Sequence, residues 1–176
     1  MHIILGLLAV LAAVAFWLSR AGQAKEQTGD VLDAANDVRL AARRLLYKRK
    51  HNTHPADSVE DPRLAAAGII TAVATMDQPI SQTEIAAMTK GMRETFGIED
   101  REALDMVSFG RWVVDQCGTN EEAVRRLSKV VAQEAGAEAG PDLIRMITEV
   151  ATAEGNAMGD DENDALDTVR RALGIT

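Results

Sequence analysis

Apolar residues recur at three- and four-residue steps along most of this chain, and no long alternating β-branched runs interrupt them. That period is the signature of amphipathic helices. The first stretch differs. "IILGLLAVLAAVAFWL", residues 3–18, is apolar on every side, which predicts a helix surrounded by hydrocarbon rather than one with a wet face. Residues 30–50 form the first amphipathic stretch, with Val31, Leu32, Ala35, Val38, Ala42, Leu45 and Leu46 on one face. A loop, "HNTHPADSVE", follows at 51–60 with two exposed histidines expected, His51 and His54.

From residue 61 the helix signals are dense. Asp61 and Pro62 are an N-cap and a first-position proline. The helix they open is expected to run to about Met76, and its broad apolar surface marks it as central. Pro79 is expected to end it. Ser81 and Glu84 then form the S-x-x-E capping box of the next helix, with Ile80 and Ile85 at the staple positions. That helix turns Ile85, Met88, Met92 and Phe96 inward and stops at Gly97. Further helices are expected over 100–116, over 120–138 with Asn120 as cap, and from Pro141 to about Glu154.

Composition narrows the class to all-α: aromatics are only 3% of the chain, and internal glycine and proline are sparse. Cys117 is the single cysteine, so no internal disulfide is available, and it ends an apolar stripe as a packed thiol.

Charge divides the chain. Residues 20–50 carry +4 and residues 51–176 carry −12. An acidic body lacks the basic footprint that nucleic acid requires, and suits cations or basic partner surfaces. The apolar segment spans about 24 Å as a helix, slightly under a hydrocarbon core of about 30 Å. Trp17 lies where an interfacial aromatic belongs, and Arg20 can snorkel. A cleaved signal peptide is the rival reading, with "GQA" at 22–24 as small residues for cleavage, and a buried core helix is the third. However, "MH" offers no basic n-region, and every positive charge follows the segment. Residues 1–20 are therefore expected to be a single transmembrane anchor in a bacterial-type inner membrane, N-out, with the body in the cytoplasm. Residues 21–60 become a basic neck and loop, and 61–176 the body. Arg43, Arg44, Lys48, Arg49 and Lys50 cluster at the end of the neck. They are placed either for anionic lipid headgroups or as dipole-favoured cations at a solvated helix end.

The body repeats itself. Residues 70–98 align without a gap on residues 147–175, with eight identities in 29 positions. Both copies read as apolar helix, acid, turn, helix and a Gly-Ile end. In this register Asp77 faces Glu154 and Glu84 faces Asp161.

"GIITAVATMDQPISQTEIAAMTKGMRETFGI" and "ITEVATAEGNAMGDDENDALDTVRRALGI" resemble the two halves of a TerB-like (tellurite-resistance) domain, over about residues 61–176. Membrane-anchored DnaJ-like co-chaperones carry a related domain, although no His-Pro-Asp J-domain motif occurs here. The resemblance implies a TerB-like helical bundle of two pseudo-symmetric halves. It also implies a divalent cation held by acids near the turns, which by motif are Asp77, Glu84, Glu154 and Asp161. Gln78 stands where the family usually has glycine, and Glu154 where it usually has aspartate.

The residues alone leave two roles open for those acids. Converging carboxylates suit a hard cation, while Glu84 also serves its own capping box. "NAMGDDENDALD", at 156–167, lacks the glycine and spacing of an EF-hand. No phosphate loop, nucleophile elbow or zinc spacing is present, and all three histidines (2, 51 and 54) precede the body. The expectation is a non-enzymatic, membrane-anchored interaction module with a protein partner, linked to stress or tellurite resistance. The alternative is an accessory or assembly subunit of an inner-membrane complex. The small residues Gly6, Ala9, Ala12, Ala13 and Ala15 mildly favour it, because they allow close helix packing in a bilayer.

Overall fold

The computed structural model describes residues 54–175. The expected anchor at 1–20, the basic neck with its lysine and arginine cluster, and His51 lie outside the described residues. Six α-helices and no strands make up the described region: α1 (Pro62–Ala74), α2 (Gln82–Phe96), α3 (Asp100–Cys117), α4 (Asn120–Glu134), α5 (Gly140–Ala151) and α6 (Asp160–Leu173). None of them is long and apolar enough to cross a membrane.

Helix α1 is the centre of the bundle. Asp61 caps it by accepting the Arg63 amide at 2.9 Å, with Pro62 at the first helical position. Every residue from Leu64 to Ala74 is buried. It packs most extensively on α3 and α4, and also on α5 and α2. Small residues make this close approach possible where aromatics are scarce. A Cβ on Gly110 of α3 would stand 2.3 Å from Thr71 Oγ1 and 2.9 Å from the Ala67 carbonyl oxygen. A Cβ on Gly68 would stand 2.5 Å from Leu127 Cδ1 of α4. The buried Thr71 hydroxyl is satisfied within its own helix, donating to Ala67 O at 2.7 Å.

Around α1, α2 packs on α3 and α5, and α6 packs on α4 and α5. The inward residues match the apolar spacing: Met88 and Met92 on α2, Met106 and Val113 on α3, Leu127 and Val131 on α4. Arg145 of α5 donates to Thr95 Oγ1 of α2 at 2.8 Å and ties those helices at the surface.

Several boundaries differ from the periodic reading. Helix α1 ends at Ala74, well before Pro79. Thr75 ends it, folding its hydroxyl onto the Thr71 carbonyl at 2.9 Å, while Asn120 Nδ2 donates to the Thr75 carbonyl at 2.8 Å. Asn120 is thus not the cap of α4. Thr119 is, accepting the Glu122 amide at 3.2 Å. Helix α4 stops at Glu134 because Gly136 turns the chain with φ 70°, and a short 3₁₀ turn, Ala137–Ala139, leads into α5. Helix α5 ends at Ala151, not Glu154.

The 51–60 stretch is also partly built into the bundle. Pro55–Ser58 forms a 3₁₀ turn whose Ala56, with the following Val59, is buried in the core. His54 is half-buried rather than exposed, with Nδ1 accepting the Ala56 amide at 3.2 Å.

The repeat is structural as well as sequential. Helices α1 and α5 are counterparts, as are α2 and α6. The threonine ladder Thr71–Thr75 recurs as Thr148–Thr152, with Thr152 Oγ1 donating to Thr148 O at 2.7 Å. Both α2 and α6 end at left-handed glycines, Gly97 at φ 62° and Gly174 at φ 68°. The isoleucine after each, Ile98 and Ile175, packs against the core.

Candidate functional site

The two repeat turns meet. Asp77 and Gln78 from the α1–α2 turn face Glu154, Asn156 and Ala157 from the α5–α6 turn across a mostly polar cleft of about 60 Å³. Ala74 and Ala151, the counterpart last residues of α1 and α5, also line it. Asp77 and Glu154, paired by the repeat register, therefore line one cleft.

Glu84 joins them, and so does Glu162. Glu84 is buried and is the third residue of α2. Its Oε2 accepts the Ser81 amide at 2.7 Å, while the Ser81 hydroxyl accepts the Glu84 amide at 3.2 Å. The expected capping box is present in full. In the second half, Asp161 does not line the cleft and is exposed. Glu162 takes the equivalent place, its Oε2 accepting the Gly159 amide at 2.8 Å.

This corrects the gapless alignment at one point. The second turn runs one residue longer before its helix starts, so the third helical residue is Glu162 rather than Asp161. Glycine at 159 supplies no hydroxyl, so only half of the box is made there. Residue register alone points to Asp161 and conceals Glu162. The signal that finds it is the G-x-x-E spacing of residues 159–162.

The four carboxylates differ in commitment. Glu84 and Glu162 each give one oxygen to a cap amide. Asp77 and Glu154 are exposed. Asp77 Oδ2 and Glu162 Oε2 both approach Gly159, within 3.7 and 3.9 Å of where a Cβ would stand.

Oxygen-only donors of this kind fit a hard cation such as Ca²⁺ or Mg²⁺ in chemistry. Their spacing is not that of a closed coordination shell. Among the described residues no group of three or more His, Cys, Asp or Glu side chains is placed to hold a metal ion.

Cys117 lies elsewhere, half-buried at the end of α3 and packed against the core. Burial pushes its thiol up to about 11, which is the opposite of nucleophilic activation. Glu122 of α4 is held down to about 2, first by hydrogen bonds from Arg125 and also by those from Arg126. That cluster pairs with Asp57 through Arg126 and fastens the first 3₁₀ turn to the bundle.

At the opposite end of α1 and α5 lies a second concavity, of about 180 Å³ and mostly apolar. Counterpart residues line it too: Pro62 with Ala139, and Ala66 with Leu143. The two helices therefore lie side by side with their N-terminal ends at the apolar groove and their C-terminal ends at the acidic cleft.

A comparison with curated proteins returned no match, and a comparison with solved structures returned none. The family model for tellurite resistance protein TerB matches residues 63–176, which takes in all but the first residue of the six-helix bundle. With its repeated helix pairs and well over half its length matched, the chain belongs to the TerB family.

Proposed function

We propose that this chain is a non-enzymatic TerB-family binding module serving a tellurite-resistance or stress response, and that its acidic cleft takes a divalent cation. The observation that supports the cation reading is the meeting of two sequence-distant turns, with Asp77, Glu84, Glu154 and Glu162 around one cleft. Asp77 and Glu154 would supply the first oxygens, since neither is engaged in a hydrogen bond or ion pair among the described residues. Two of four carboxylates being bound into helix caps implies modest affinity, because a tight hard-cation site uses six or more oxygens. The uncharged segment at 3–18 and the positive charge that follows it support tethering at a bacterial-type inner membrane, with the body in the cytoplasm.

Calorimetry of the full chain with Ca²⁺, Mg²⁺ and Mn²⁺ tests the cleft. Binding heat should vanish in the Asp77→Ala, Glu154→Ala double variant and persist in Asp161→Ala. Unchanged heats in the double variant would refute the assignment. Recovery of the chain in the soluble fraction after carbonate extraction would refute the anchor.

A further inference from the structure

The chain enters the bundle through the 3₁₀ turn Pro55–Ser58, before the first α-helix begins. The turn closes on itself. The Asp57 amide donates to the His54 carbonyl at 2.9 Å, the Val59 amide to the Ala56 carbonyl at 3.4 Å, and the Ser58 hydroxyl to the Pro55 carbonyl at 2.8 Å. It packs on α3 and α4, and Ala56 and Val59 are only 0% and 3% exposed. Arg126 of α4 donates from Nη1 to Asp57 Oδ2 at 2.5 Å, a link across 69 positions of sequence.

The six helices are complete without this turn. Helix α1 has its own cap, since Asp61 accepts the Arg63 amide at 2.9 Å and the Arg63 guanidinium at 2.9 Å. The TerB family match begins at residue 63, so the turn stands outside the matched part of the chain. The apolar side chains that the turn sets into the core are small, an alanine and a valine. Its ion pair is partly open to water, with Asp57 41% exposed, and such pairs are weak. An element held by little buried apolar area opens at lower free energy than the core it covers.

We propose that residues 54–60 are a strap, clasped by Asp57 and Arg126, that lifts off α3 and α4 as a unit while the six helices stay folded. With the strap closed, the chain leaves the bundle at His54. With the strap open, it leaves at Asp61, the cap of α1, and residues 54–60 are released. Released and extended, they reach about 25 Å. The strap therefore regulates the reach of the body from whatever holds the chain before it. That consequence rests on the tethered reading of the protein; the opening itself does not.

The test labels buried thiols in the full chain, in an uncharged micelle and with Cys117→Ser so that one thiol reacts at a time. Val59→Cys puts the thiol in the strap's buried contact, and Val73→Cys puts it in the centre of α1. Each reacts when its cover opens, so the rate reads the open population. Val59→Cys should label at least about tenfold faster than Val73→Cys. Its rate should be nearly flat in low urea, because a small opening exposes little surface. Asp57→Asn should speed Val59→Cys labelling about two- to fivefold, the scale of a partly exposed ion pair. Glu84→Ala, which weakens the start of α2, should speed Val73→Cys labelling and leave that of Val59→Cys unchanged.

Equal rates with the same urea dependence would overturn the proposal, since the turn would then open only with the whole bundle. Acceleration of both thiols by Glu84→Ala would do the same. Val59→Cys labelling as fast as that of a free thiol would mean that no closed strap exists. Failure of Asp57→Asn to accelerate labelling would overturn the ion pair as the clasp. A chain recovered in the soluble fraction after carbonate extraction would remove the consequence for reach and leave the labelling result standing.

Discussion

Glu84 and Glu162 are structural counterparts: each is the third residue of its helix, and each accepts the amide of its own N-cap, from Ser81 at 2.7 Å and from Gly159 at 2.8 Å. The pair defines the acidic cleft more firmly than residue register does. It holds two carboxylates at fixed positions while Asp77 and Glu154 remain uncommitted between them.

Glu84 and Asp161, which the repeat register pairs, should therefore differ in their contribution to stability, because only Glu84 is a cap. Glu84→Ala loses a buried, reciprocal box and should destabilise by about 1–2 kcal/mol. Asp161→Ala should change stability by about 0.5 kcal/mol or less, since only its interaction with the helix dipole is lost. Urea unfolding of the two variants gives the comparison directly.

Close packing on α1 predicts a second asymmetry. Gly110→Ala drives a Cβ to 2.9 Å from the Ala67 backbone carbonyl, which cannot move aside. Overpacking of this kind costs about 1–3 kcal/mol, and the higher end is expected here. Gly68→Ala meets Leu127 Cδ1 at 2.5 Å and Val113 Cγ1 at 2.9 Å, both side-chain atoms. Both glycines lie inside helices, so each substitution gains the same helix propensity of about 1 kcal/mol. The loss at Gly68 should be smaller because side-chain atoms can shift where a backbone carbonyl cannot. Thermal unfolding should rank Gly110→Ala well below Gly68→Ala.

Asn120 joins the start of α4 to the end of α1 through its 2.8 Å bond to the Thr75 carbonyl. Asn120→Ala leaves that half-buried carbonyl without its donor and should cost about 1–2 kcal/mol. Hydrogen exchange provides a local readout. Amides in the last turn of α1 should lose protection in this variant before those of α3 do.

Cys117 should be nearly inert at neutral pH. Burial holds its thiol up at about 11, against an ordinary value near 9. The native state then keeps the proton after the unfolded chain has lost it. This contribution to stability is full below pH 9 and is lost as pH rises towards 11. Stability curves of the parent chain and Cys117→Ser should converge across that window. Alkylation at pH 8 should be slow until denaturant is added.

Much of this architecture was legible in local patterns, because caps and apolar periods act over four residues. The Ser81–Glu84 box, the stops at Gly97 and Gly174, and the inward faces of α2, α3 and α4 all follow from neighbours along the chain. The internal repeat likewise pairs Asp77 with Glu154 along the chain, and both line one cleft.

Tertiary structure decided what depends on distant partners. Where α1 ends, the Thr75 carbonyl finds its donor in Asn120, 45 residues away. Glu162 displaces Asp161 from the cleft because the second turn is one residue longer, a difference that gapless alignment conceals. The apolar groove has no sequence signal at all, since its walls come from four helices and the turn between two of them. Periodicity shows which face of a helix is apolar. Only packing determines how much of that face remains uncovered.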